Sequence, residues 1–94
     1  MFDIDIITTT LGSALKPLGM ACRYVPTTSP ECEDDEVEIL GKDGKPTGIS
    51  VQLCAYGREY AVGQWNETDE TLTFFPSTRS LSNATKTVMT LVSA

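Results

Sequence analysis

The chain is predicted to be an α+β domain: an antiparallel sheet of three to five strands with one helix before it and one after it. Three observations carry that prediction. Apolar residues recur at spacings of three and four near both ends of the sequence. Between them, from about residue 36, the apolar period falls to two. Glycine and proline clusters break the middle into strand-length pieces. A period of 3.6 marks an amphipathic helix and a period of two marks a half-buried strand. At 94 residues, the whole chain is expected to form one domain with a small core.

The first stripe is Ile4, Ile7, Leu11, Ala14, Leu15 and Leu18, which predicts a helix over about 3–16. Asp3 or Asp5 can cap its first turn, where a carboxylate also suits the helix dipole. Thr8, Thr9 and Thr10 oppose helix through β-branching. Pro17 disfavours helix at Lys16, and Gly19 completes the stop. A short strand follows over about 20–25, closed by Pro26. Residues 26–35 read as a polar surface loop with two prolines.

A strand over about 36–41 alternates Val37 and Ile39 with Glu36 and Glu38. Gly41, Gly44, Gly48 and Pro46 then mark residues 41–48 as a hairpin connection. The clearest strand runs over about 48–56, with Ile49, Val51, Leu53 and Ala55 on one face. Gly57 and Arg58 suit a two-residue type II′ turn into a strand over about 59–66. That turn would place Leu53 opposite Val62 and Val51 opposite Gln64, with Tyr60 and Val62 on the core face. The other face then carries Gln52, Cys54, Tyr56 and Trp65. Glu67 to Glu70 connect to a strand over about 71–76. If the connection is four residues long, Leu72 and Phe74 share the face of Trp65; one residue more sends them to the core. A last stripe, Leu81, Ala84, Val88, Leu91 and Val92, predicts a helix over about 81–92 with Ser80 as its N-cap. Two helices on one sheet face, or one on each, both satisfy the pattern.

Charge is local. The net charge is -6, and residues 31–38 hold six carboxylates and no base, so the remainder of the chain is balanced. A basic stripe that would follow a phosphate backbone is absent, so direct nucleic-acid binding is not expected. The start of the chain lacks a basic segment followed by an apolar run, and no stretch approaches a bilayer span, so a cytoplasmic protein without membrane contact is expected. Cys22, Cys32 and Cys54 are odd in number and unspaced for a metal, which reads as three reduced thiols. There is no histidine, no phosphate loop and no distinguishable nucleophile–base pair, so neither a catalytic role nor a cofactor is expected.

Three candidate sites remain. The first is the acidic run Glu31, Glu33, Asp34, Asp35, Glu36 and Glu38. It reads either as a solvated loop entering an edge strand, where charge blocks sheet-to-sheet association, or as a surface for a basic protein. A calcium or magnesium site is the weakest alternative, because the EF-hand spacing is missing. The second is the tip Glu67, Asp69 and Glu70, which is either a polar hairpin loop or, with the first run, negative charge spaced like nucleic-acid phosphates. The third is the face of Tyr56 and Trp65, which is an interface if no helix covers it and core if one does. The functional expectation is a small non-catalytic binding module that docks a basic protein surface. In its concrete version it is a phage or mobile-element inhibitor occluding a host defence or nucleic-acid-handling complex, in the host cytoplasm. The alternative is a virion-type structural or assembly subunit, a homo-oligomer associating through its sheet.

Overall fold

The computed structural model describes residues 2–26, 35–54 and 58–93. The α+β prediction holds: helix α1 (Ile4–Leu15), strands β1 (Ala21–Val25), β2 (Asp35–Leu40), β3 (Pro46–Cys54), β4 (Glu59–Asn66) and β5 (Thr71–Phe74), and helix α2 (Leu81–Val92). All neighbours in the sheet are antiparallel, and the strand order is β1-β2-β3-β4-β5.

Each helix starts where the sequence supplies a cap. The Asp3 carboxylate accepts from the Ile6 amide at 3.1 Å, and the Ser80 hydroxyl accepts from the Asn83 amide at 3.1 Å. Threonines sit inside both helices because their hydroxyls bond back one turn, Thr8 to the Ile4 carbonyl and Thr85 to the Leu81 carbonyl, each at 2.8 Å. Pro17 turns the end of α1 into a single 3₁₀ turn, and Gly19 leaves it in the left-handed region at φ 71.

One apolar cluster joins the helix layer to the sheet. Ile7, Leu11 and Leu15 of α1 and Ala84 and Val88 of α2 pack on Val37, Ile39, Ile49, Val51, Leu53 and Val62 of the sheet. Those sheet residues all point to one side, so both helices lie on the same face and also touch each other. Along the middle of that face runs the row Tyr24, Val37, Val51 and Val62.

Three details differ from the sequence reading. The acidic run does not lead into an edge strand. β2 is interior, flanked by β1 and β3, because the segment after Gly19 does form a strand and pairs along its whole length with β2. The β3–β4 register is offset by two residues from the expected one: Val51 faces Val62 and Leu53 faces Tyr60. Among the described residues the last pair toward the connection is Cys54 with Glu59. Residues 55–57, with the predicted Gly57 turn position, lie outside the described residues; Arg58 has φ 51. The offset lines up valines across β2, β3 and β4, and because side chains alternate with period two it leaves the described residues of β3 and β4 on their predicted faces.

The third difference is a bulge. Glu38 pairs with Ser50 but Leu40 pairs with Pro46, so β3 carries extra residues opposite Ile39 and begins earlier than expected. Gly48 takes the left-handed conformation there, at φ 87. The Thr47 hydroxyl stitches the gap, donating to the Ile39 carbonyl at 2.8 Å and accepting from the Ile49 amide at 3.2 Å.

Candidate binding surface on the open sheet face

With both helices on one side, the other side of the sheet has no layer over it among the described residues. The four-residue connection 67–70 pairs Trp65 with Leu72 and Gly63 with Phe74, so all three large side chains stand on this open face. Trp65 is 44% exposed, Leu72 50% and Phe74 52%. Three large apolar side chains side by side and half in water form a patch of the kind that marks an interface.

Two glycines shape the patch. A Cβ on Gly63 would stand 3.0 Å from the Phe74 ring, so the ring lies over bare backbone. A Cβ on Gly48 would stand 3.0 Å from the Trp65 carbonyl oxygen and 3.4 Å from its Cβ, so the bulge brings β3 close beneath Trp65.

A groove of about 210 Å³ runs beside the patch. Trp65 and Leu72 line one side, Glu36 and Glu38 the other, and Gly48, Ser50 and Gln52 lie between. The two carboxylates are held differently. Glu38 forms an ion pair with Arg23 of the edge strand β1, its cross-strand partner. Glu36 accepts from the Gln52 side-chain amide at 2.8 Å and, among the described residues, has no cationic partner.

Of the residues singled out in the sequence, Glu36, Glu38 and Trp65 are thus brought around one groove. Asp35 is not among them: it starts β2 on the helix-side face, where its carboxylate accepts from the Tyr24 hydroxyl at 2.6 Å. That bond, with burial and the carboxylate charge behind it, raises the Tyr24 pKa. Glu67, Asp69 and Glu70 form the β4–β5 turn. The turn is tied internally: the Asn66 side-chain oxygen accepts from the Thr68 amide at 2.9 Å and the Asp69 amide at 3.2 Å. Asp35 aligns with Leu53 and Tyr60, and Asn66 lies six residues further along β4, so Asp35 is about 20 Å along the strands from the start of the tip, whereas Glu38, aligned with Ser50 and Gly63, is three residues from Asn66. Glu31, Glu33, Asp34 and Tyr56 lie outside the described residues.

The sequence reading did not single out Arg23, Gly48, Gly63 or Gln52. Glycine inside a strand is itself a sign of a bulge or a close approach, and Gly63, within the predicted strand 59–66, carried that sign. Among the described residues no three cysteine or carboxylate side chains gather as a metal would require, and no helix is long and apolar enough to cross a membrane. Cys22 is half-buried, with its thiol directed to the Thr8 carbonyl at 3.5 Å, and burial raises its pKa. The chain matches no family model, and comparison with curated proteins and with solved structures finds no match.

Proposed function

We propose that this chain is a non-catalytic protein-binding module that docks a basic protein surface through its open sheet face. One observation carries the reading: Trp65, Leu72 and Phe74 stand exposed together beside the carboxylates Glu36 and Glu38. Tryptophan is enriched at the energetic centres of interfaces, and a flanking carboxylate steers a basic partner and speeds its encounter. In the concrete version, a mobile element encodes the module to occlude the basic groove of a host defence or nucleic-acid-handling complex. Asp35 turned to the helix side, with Glu36 and Glu38 beside Trp65, favours contact through a compound apolar and acidic face over a line of charges imitating phosphates.

Affinity capture with the purified chain tests this. Trp65→Ala should weaken retention of the partner by about thirtyfold or more, the scale of a hot-spot truncation. Reversing Glu67, Asp69 and Glu70 to lysine should leave it nearly unchanged. If Trp65→Ala is retained like the wild type, the docking reading fails; if the tip reversal abolishes capture, phosphate-like charge is the better account.

The second reading, a structural subunit, is favoured by the short strand β5, which carries Leu72 and Phe74 and, among the described residues, pairs on one side alone. It predicts a homo-oligomer by sedimentation, against the self-repulsion of a net charge of -6.

A further inference from the structure

We infer that the groove between Trp65 and Glu36 receives an arginine side chain presented by the partner protein; this rests on the docking reading above. Three observations narrow the occupant to that chemistry. The first is charge. Two carboxylates, Glu36 and Glu38, line the groove, and one guanidinium, that of Arg23, pairs with Glu38. Arg23 approaches from β1 and is not part of the groove lining. One negative charge is therefore uncompensated at the wall, and Glu36, held only by the neutral Gln52 amide among the described residues, is where it resides. A cation entering the groove completes the balance.

The second observation is the spacing of the carboxylates. Glu36 and Glu38 are alternate residues on one face of β2, so they stand side by side about 7 Å apart along the strand. A planar guanidinium with its five donors can address both. A lysine ammonium is a compact point charge that satisfies one.

The third is the opposite wall. Trp65 presents an indole and Leu72 an aliphatic side chain to the same groove. Guanidinium groups stack on aromatic faces, and the three-carbon stem of arginine covers apolar surface while its head stays polar. Gly48 leaves its part of the floor without a side chain, beside Ser50 and Gln52. A volume of about 210 Å³ suits a long side chain rather than an inserted helix or strand.

Trp65 is the only tryptophan in the chain, so its fluorescence reports the groove directly. The probes are N-acetyl-arginine amide, N-acetyl-lysine amide and N-acetyl-citrulline amide, the last with the shape of arginine and no charge. The arginine amide should give a saturable fluorescence change, with citrulline at least about tenfold weaker and lysine intermediate. Glu36→Gln should weaken the arginine response about tenfold, while Glu67→Gln leaves it unchanged. Backbone amide shifts on titration should concentrate at Glu36, Gln52 and Trp65. No saturable change, equal binding of citrulline, or indifference to Glu36→Gln overturns the assignment. If it is overturned while Trp65→Ala still abolishes partner capture, the docking reading stands without it. If Trp65→Ala leaves capture intact, the docking reading falls and takes the arginine site with it. Self-association that Trp65→Ala abolishes would seat a second copy on the face and overturns the assignment as well.

Discussion

The two faces of the sheet are built from the same strands by strict alternation, yet they carry opposite kinds of residue. The centre of the helix-side face is aliphatic and closed: Val37, Ile39, Val51, Leu11 and Leu15 have no measurable exposure. The open face mixes a half-exposed aromatic and aliphatic patch with Arg23, Glu36, Glu38 and Gln52. On one face apolar area is removed from water by folding itself. On the other, Trp65, Leu72 and Phe74 stay half in water. The difference separates residues that make the fold from residues exposed to a partner, and the proposed docking surface rests on the latter.

The comparison breaks most visibly in stability. Leu11→Ala removes a side chain with no exposure from the helix–sheet interface and should cost about 3–5 kcal/mol, read as a shift in the denaturant midpoint. Gly48→Ala tests the bulge between the faces. An alanine there must hold φ near 87 and meets the Trp65 carbonyl oxygen, so a loss of about 1–3 kcal/mol is expected, with the Trp65 fluorescence altered in the folded state. Trp65→Ala, by contrast, should change unfolding free energy by only about 1 kcal/mol, because the side chain is already 44% exposed. A loss as large as that of Leu11→Ala would mean that the open face is structural after all.

The smallest effect is a titration. The Asp35 carboxylate raises the Tyr24 pKa above its ordinary value, so the native phenol keeps its proton at alkaline pH where the unfolded one releases it. The native state binds more protons in that window, so this contribution is present below the ordinary tyrosine pKa and is lost as pH rises through the native one. Phenolate absorbance should show Tyr24 titrating late, and Asp35→Asn should bring it down toward the ordinary value.

How much of this was legible beforehand follows the range of the forces. The helices were readable because their stripes, the Asp3 and Ser80 caps and the Pro17–Gly19 stop are all local. The side shared by Leu72, Phe74 and Trp65 hung on the length of one connection, 67–70, and stayed open between the two faces until the pairing of Trp65 with Leu72 decided it. The register of β3 on β4 was not, because Gly57 and Arg58 resemble a two-residue turn, while the pairing is decided by valines meeting across three strands. The exposure of Trp65 was not readable either. It depends on α2 returning to the side that α1 already covers, a contact between the two ends of the sequence. The groove pairing Glu36 with Trp65 needs β2 and β4 to flank β3, which no local pattern records.

The strand order repeats the order of the chain, and this has a consequence for how the molecule assembles. Every strand pairs with its sequence neighbour, so the sheet can grow hairpin by hairpin with short loops to close. The contact of α1 with α2 is the exception, since it spans nearly the whole described chain. Sealing the core therefore waits on the slowest loop closure, and the helix pair should open before the central strands do. Hydrogen exchange would register this as lower protection in α1 and α2 than in β3, with the open face keeping its shape while the core side breathes.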